Sequence, residues 1–191
     1  MNLLICGVGG QGVLLFSDLI GGIAMSAGLD VKRSEVHGMA QRGGSVSTHV
    51  RFSPRVRSPL IEAGTADLIV AFEKLEAVRY VHFLAPGGRL FYDGFRLDPL
   101  PVQSGLVERP EDAALEERLA ARAPNRVMIP AFETARKLGN ARVQNTVMLG
   151  AVSRGLEFPF ETYQAEIRQL VTPKLVELNL KALEAGRSLV G

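Results

Sequence analysis

NLLICGVGGQG, at residues 2–12, sets the architecture of this chain. A short apolar run that ends at glycines is typical of a buried strand. Apolar residues then recur at helical offsets from Leu15 to Ala27, and Gly28 is a natural position for a helix to end. The sequence therefore predicts a strand, a tight glycine turn and a helix, in that order.

Strands and helices alternate along the rest of the chain. We expect loops with one short strand over 94–110, and a helical last third in which Asn140 caps a helix and Pro173 and Gly186 open and close the last one. This alternation indicates an α/β fold, a three-layer Rossmann-like domain with a mostly parallel sheet flanked by helices. No linker divides residues 1–191, so we expect a single domain. Further strands are expected at 31–36, 45–52, 68–72, 89–93 and 126–129, and further helices at 73–83, 111–122 and 131–138.

Composition and charge exclude several classes of function. The chain has 191 residues, of which 22 are Lys or Arg and 20 are Asp or Glu, so the net charge is about +2. The charges form no basic stripe of the kind that binds nucleic acid, and no apolar run is long enough to span a membrane. The first residues also lack the positively charged region of a signal peptide, so we expect a cytoplasmic protein.

Cysteine usage limits the redox chemistry. Cys6 is the only cysteine, which excludes an internal disulfide and a cluster held by four thiolates. His37, His49 and His82 do not have zinc-ligand spacing, so no metal site is predicted. We expect Cys6 to be inert packing in its strand, and His49 and His82 to be structural.

The glycine turn is the first candidate site. GVGGQG fits the pattern G-x-G-x-x-G between a strand and a helix, where backbone amides can face an anion. Glu35 ends the second predicted strand, where dinucleotide sites place a ribose-binding carboxylate. Three interpretations stay open: an NAD or FAD site, a site for another group such as a partner's cofactor, and glycines that only let the helix pack closely. The candidates are Gly7, Gly9, Gly10, Gln11, Gly12 and Glu35.

Longer segments carry a family resemblance. GVGGQGVLL at 7–15 and SEVHGMAQRGGSVSTHVRF at 34–52 resemble the beta subunit of indolepyruvate:ferredoxin oxidoreductases. The same domain is called gamma in pyruvate and 2-oxoglutarate ferredoxin oxidoreductases. NTVMLG at 145–150 and NLKALEAG at 179–186 resemble the closing helices of that family, so the likeness covers nearly the whole chain.

The resemblance implies an enzyme that oxidatively decarboxylates indolepyruvate or related arylpyruvates to acyl-CoA, with ferredoxin as electron acceptor. It implies thiamine diphosphate, magnesium and [4Fe–4S] clusters on a large alpha subunit, coenzyme A as co-substrate, and an alpha-two beta-two heterotetramer. The residues agree with this division, because the chain has no GDG segment for thiamine diphosphate and only one cysteine. We therefore expect a small subunit that binds no cofactor and is inactive alone. The alternatives are a free-standing NAD(P)- or FAD-binding oxidoreductase and a scaffold that stiffens the large subunit.

The loop Ser34–Ser45, which contains the glycine-rich stretch HGMAQRGG at 37–44, is the second candidate site. Arg42 could clamp a phosphate or carboxylate with two parallel hydrogen bonds, and Met39 is expected to enter a pocket of the partner. The loop could contact coenzyme A, the partner's thiamine diphosphate or a partner carboxylate, or form a subunit contact alone. No residue is assigned a catalytic role, although His37 could titrate near neutrality. The candidates are His37, Gly38, Met39, Gln41, Arg42, Gly43 and Gly44.

Overall fold

The computed structural model describes residues 1–37 and 43–191, and of His37 the backbone only. Its strands form one sheet of six in the order β2-β3-β1-β4-β5-β6. The strands are β1 (Asn2–Val8), β2 (Asp30–His37), β3 (Ser45–Ser53), β4 (Ala66–Ala71), β5 (Leu84–Asp93) and β6 (Arg126–Ile129). The helices are α1 (Val13–Ser26), α2 (Lys74–Tyr80), α3 (Leu100–Gln103), α4 (Asp112–Arg122), α5 (Ala131–Lys137), α6 (Gln144–Val152), α7 (Phe160–Leu170) and α8 (Val176–Ser188), with 3-10 turns at Val81–Phe83, Ala141–Val143 and Pro173–Leu175.

One of these six strands is reversed. β1, β4, β5 and β6 are parallel neighbours, whereas β3 pairs antiparallel with both β1 and β2. Parallel neighbours need a long crossover, and only residues 38–44 separate β2 from β3, so these two strands pair antiparallel. The expected fold class is confirmed, with the difference that β3 lies between β2 and β1.

Alternate side chains of β1 enter two separate cores, which defines the three layers. Leu3 and Ile5 pack in the cluster that includes α1, α6 and α8. Leu4 and Cys6 pack in the cluster on the other face, with residues of α2 and α4. Because successive side chains of a strand point to opposite faces, a strand that is buried throughout is apolar at every position.

Two predictions about loops and helix ends are wrong. The stretch 94–110, described throughout, contains the short helix α3 and no strand, since Pro99 and Pro101 remove amide donors that a ladder needs. Gly186 lies inside α8, which continues to Ser188. A Cβ on Gly186 would overlap the carbonyl oxygen of Val147, so this glycine lets α8 approach α6 closely.

The remaining helix boundaries are close to expectation. Asn140 caps the 3-10 turn before α6, its Oδ1 accepting from the amide of Arg142 at 3.0 Å. The turn at Pro173–Leu175 precedes α8. Within the described ranges, every helix is too short or too polar to cross a membrane.

Candidate functional site

The glycine turn and the described end of the second candidate loop, residues 43–44, meet at one edge of the sheet. The glycine turn follows the carboxyl end of β1, and residues 43–44 lead into β3, which pairs with β1 in the opposite direction. The amide of Gly9 donates to the carbonyl of Gly44 at 2.9 Å. Ligands of open α/β sheets bind at this carboxyl edge, so the fold places both loops where a site is expected.

Glycine is required at two positions of the turn. Gly10 and Gly12 have φ of +105° and +80°, in the left-handed region that L side chains rarely adopt. A Cβ on Gly12 would also lie 2.6 Å from the Nδ2 atom of Asn145 on α6. Gly12 therefore serves close packing, whereas Gly10 has no atom within 4 Å of such a Cβ and faces open space.

Gln11 shapes the turn from within. Its Oε1 accepts from the amide of Val8 at 2.7 Å, and its Nε2 donates to the carbonyl of Phe72 at 3.0 Å. The same carbonyl accepts from Nε2 of Gln144 at 2.9 Å. The side-chain amide of Gln11 thus links the end of β1 to the residue after β4.

The position of Glu35 argues against a dinucleotide site. Glu35 pairs with Thr48 of β3, and Thr48 pairs with Ile5 of β1. Two strand spacings, about 9–10 Å, therefore separate Glu35 from β1. In dinucleotide-binding folds the strand with the ribose-binding acid is the direct neighbour of β1, and here β3 occupies that place.

Part of the second loop lies outside the described residues. This applies to Gly38, Met39, Gln41 and Arg42, so the roles expected of them stay predictions. His37 ends β2 opposite Val46, with its side chain also outside the description. Gly43 has a φ of +72° and is exposed, and Gly44 is half-buried against the glycine turn.

Two cavities open on either side of the paired loops. One of about 410 Å³ is lined by Gly43, Gly44 and residues of α2 and 97–103. The other, of about 320 Å³, is lined by Gly9, Gly10 and Gly12 with Leu14 of α1. Val8 borders both cavities, so the end of β1 separates them.

A buried carboxylate anchors the start of β3, and the sequence analysis missed it. Glu76 of α2 is 4% exposed, and Ser45 Oγ donates to its Oε2. Burial raises the pKa of Glu76, while the hydrogen bond from Ser45 and the charge of Arg79, with Nε 3.5 Å from Oε1, act in the opposite direction. Tyr80 Oη lies 3.2 Å from Ser45 Oγ. This cluster fixes the end of the 37–44 loop on α2.

Two more buried carboxylates shape this edge and were also missed. Glu73 caps α2, accepting from the amides of Glu76 at 2.9 Å and Leu97 at 3.0 Å. Asp93, at the end of β5, accepts from the amide of Phe132 at 2.7 Å and from Nε2 of Gln144 at 2.8 Å. Burial raises the pKa of both carboxyls. An acid at the carboxyl end of a buried strand was the available signal for both.

Cys6 and His49 are buried in the framework, whereas His82 is exposed on the 3-10 turn Val81–Phe83. Cys6 is fully buried with its Sγ 3.7 Å from the carbonyl of Glu76, and burial raises the pKa of the thiol. Nδ1 of His49 accepts from the amide of Ile61 at 3.0 Å, and burial lowers the pKa of this ring. The His82 ring contacts the carbonyl of Arg79. The described part of the chain holds no group of three His, Cys, Asp or Glu side chains arranged for a metal ion.

Comparison with known proteins identifies the family of this chain. Residues 2–189 match the family model described as pyruvate ferredoxin/flavodoxin oxidoreductase. The chain belongs to this family. The indolepyruvate oxidoreductase subunit IorB of Archaeoglobus fulgidus is 40% identical over 97% of this chain and 93% of its own length. The ketoisovalerate oxidoreductase subunit VorA of Methanothermobacter thermautotrophicus is 32% identical over 95% of this chain, but the match spans 35% of that longer protein.

Solved structures of ferredoxin oxidoreductases share the fold. The gamma subunit of a keto/oxoacid ferredoxin oxidoreductase from Geobacter sulfurreducens has a TM-score of 0.71 and 23% identity, covering 98% of this chain and 96% of its own. The 2-oxoglutarate:ferredoxin oxidoreductase of Magnetococcus marinus, with coenzyme A and succinyl-CoA bound, has a TM-score of 0.75 and 24% identity, covering 99% of this chain and 30% of its own. In this member of the pyruvate ferredoxin/flavodoxin oxidoreductase family, the segments 145–150 and 179–186, which resemble the family's closing helices, form most of α6 and α8. These two helices pack together.

Proposed function

We propose that this chain is the small subunit of a 2-oxoacid:ferredoxin oxidoreductase of the indolepyruvate type. The observation that carries the proposal is the 40% identity to subunit IorB, which extends over almost the full length of both chains. Such an enzyme oxidatively decarboxylates a 2-oxoacid such as indolepyruvate to an acyl-CoA and passes two electrons to ferredoxin. We assign this chain to the cytoplasm and to a heterotetramer with two large subunits.

The chemistry of the chain supports cofactors on the large subunit. Cys6 is the only cysteine, its thiol is buried, and its raised pKa disfavours the thiolate that a cluster requires. These residues do not fit an iron–sulfur cluster. We therefore assign thiamine diphosphate, magnesium and the [4Fe–4S] clusters to the large subunit, where they supply the decarboxylation and the electron transfer.

The carboxyl edge of the sheet is the surface that we assign to the reaction. The described residues of the paired loops, 7–12 and 43–44, lie there between two cavities. Glu73, Glu76 and Asp98 line the larger cavity together with Arg79, and the excess of carboxylates disfavours a phosphate group in it. The smaller cavity, next to the amino end of α1, is electrostatically more suitable than the larger one for the phosphates of coenzyme A.

Reconstitution tests the proposal. The chain is co-expressed with the large subunit of the same enzyme, and reduction of ferredoxin is followed with indolepyruvate, phenylpyruvate and 2-oxoglutarate in the presence of coenzyme A. We expect activity only when both subunits are present, and the highest rate with an arylpyruvate. Full activity of the large subunit alone would reduce this chain to a scaffold and contradict the proposal.

A variant of the second loop tests its part in the reaction. Arg42→Ala should lower the rate of the assembled enzyme at least tenfold (about 1.4 kcal/mol), whereas Arg136→Ala, on α5, serves as the matched control and should leave it unchanged. Both variants are first checked for assembly by size-exclusion chromatography with light scattering. Wild-type rates in an assembled Arg42→Ala enzyme would refute a role for this side chain.

A further inference from the structure

The segment 97–107, between β5 and α4, presents large apolar side chains to solvent. Leu106 is 82% and Leu100 is 78% exposed, and these are the two most exposed large hydrophobic side chains among the described residues. Val107 and Leu97 of the same segment are exposed as well. Soluble proteins rarely leave such a cluster uncovered unless it forms an interface. We call this segment the apolar ridge.

Hydrogen bonds from a buried arginine side chain hold the ridge in place at both of its ends. The side chain of Arg96 is 6% exposed. Its guanidinium donates to Asp98 Oδ1 at 3.0 Å, to the Pro110 carbonyl at 2.8 Å and to Asp112 Oδ1 at 3.1 Å. Arg109 Nε adds a second bond to Asp98 at 2.9 Å. One arginine thus ties the beginning of the ridge to the residues after its end. A surface ordered before binding loses less conformational entropy when a partner covers it.

Two grooves flank the ridge. The cavity of about 410 Å³ next to the paired loops reaches Leu97 and Leu100 on one side. A second groove of about 560 Å³ is lined by Val102, Val107 and Leu115 on the other side. A ridge between two grooves allows a partner to interlock with it, as the well-packed centres of protein interfaces require. The first groove also makes the ridge continuous with the candidate site.

The lengths of the relatives indicate what covers the ridge. Subunit IorB of Archaeoglobus fulgidus is matched over 93% of its length, so that protein consists almost entirely of this fold. VorA of Methanothermobacter thermautotrophicus is matched over 35% of its length, and the Magnetococcus marinus chain over 30%. In those longer chains a peptide bond keeps this fold attached to the remaining two-thirds. Where the fold is a separate subunit, only a non-covalent interface can keep it attached to the rest of the enzyme, and a stable interface covers about 800 Å² on each side.

We propose that the apolar ridge, Leu97–Val107, docks on the large subunit. This subunit would correspond to the remaining two-thirds of those longer chains. The inference rests on the proposed function, which requires such a subunit. It adds which surface is covered, and it places that surface directly beside the paired loops. Docking through the ridge would bring residues 7–12 and 43–44 against the large subunit.

Charge substitution on the ridge tests the inference. The double variant Leu100→Asp/Leu106→Asp and the wild-type chain are immobilised, and binding of the purified large subunit is measured by biolayer interferometry. We expect the dissociation constant to rise ~100-fold or more, because charges would replace two apolar anchors. The melting temperature should stay within about 2 °C of wild type, since exposed side chains contribute little to folding.

Leu60→Asp is the matched control. Leu60 is 56% exposed and lies at the opposite edge of the sheet, where its carbonyl accepts from Arg51, a side chain that also bonds Asn2 at the start of β1. This variant should bind the large subunit as tightly as wild type. The conservative variant Leu100→Met/Leu106→Met should also retain binding, because it keeps apolar side chains of similar volume.

The outcomes separate the surface from the function. If the wild-type chain binds the large subunit and the aspartate variant binds it equally tightly, the ridge is not the docking surface and the inference is overturned. The same holds if light scattering shows that the aspartates dissociate a homodimer of this chain while large-subunit binding is unchanged. If the wild-type chain itself does not bind the large subunit, the proposed function fails and the inference fails with it.

Discussion

Replacing Gly186 by alanine should destabilise the protein although alanine is the better helix former. In the interior of a helix, alanine is favoured over glycine by about 1 kcal/mol. Gly186 lies in α8, however, where a Cβ would overlap the carbonyl oxygen of Val147 on α6. This obstacle is backbone, so a change of rotamer cannot relieve it, and the two helices must separate.

The expected loss follows from these opposing effects. Forcing an extra carbon into a well-packed core typically costs about 1–3 kcal/mol, and contact with rigid backbone favours the upper end. Subtracting the helix preference of about 1 kcal/mol leaves a net loss of about 1–2 kcal/mol. For a chain of this size that corresponds to a fall in melting temperature of about 2–8 °C.

Gly21→Ala is the matched control for this measurement. Gly21 is buried in α1, but a Cβ there would meet its nearest atoms at 3.7 Å from Arg33 Cδ and 3.8 Å from Val31 Cγ1, which is ordinary contact. We therefore expect Gly21→Ala to raise the free energy of unfolding by up to about 1 kcal/mol in urea titrations. The reasoning is refuted if Gly186→Ala stabilises the protein as Gly21→Ala does.

Three further substitutions test the contacts around the candidate site. Burial raises the pKa of Glu76 in the folded state, so the free energy of unfolding decreases as the pH rises from about 4.5 through that raised pKa. Glu76→Gln should weaken this decrease in urea titrations at several pH values. An unchanged pH dependence would contradict the expectation. Gln11→Leu leaves the amide of Val8 without its hydrogen-bond partner and should lower the free energy of unfolding by about 1–2 kcal/mol in urea titrations. An unchanged free energy of unfolding would show that water replaces the bond. Arg96→Met should lower the free energy of unfolding by about 1–2 kcal/mol and weaken binding of the large subunit in interferometry. Full affinity would show that the apolar ridge does not depend on this arginine.

Hydrophobic periodicity predicted the layers but not the neighbours of each strand. The apolar runs of β1 and β4 indicated strands buried on both faces, and the structure confirms this. The alternation over 45–52 likewise predicted β3. It carried no information on strand direction, because alternation is the same in parallel and antiparallel strands. The short connection between β2 and β3 was the usable signal, since it excludes a helical crossover.

The candidate site was only partly predictable, because its framework depends on contacts distant in sequence. Glycines that end a buried strand marked the turn at 7–12 correctly as a turn between β1 and α1. The positions of Glu73 and Asp93 after buried strands could have marked them as candidates. Their distant partners, the amides of Leu97 and Phe132, are not encoded locally. Gly186 was interpreted as a helix end for the same reason, since its contact with Val147 is tertiary.

The division of labour between subunits can be measured on the chain by itself. The purified chain is assayed for bound thiamine diphosphate and iron, and for coenzyme A-dependent reduction of ferredoxin by indolepyruvate, before and after addition of the large subunit. We predict no cofactor and no turnover before the addition, and turnover after it. Oxidation of indolepyruvate by the chain alone, with a cofactor of its own, would contradict the account.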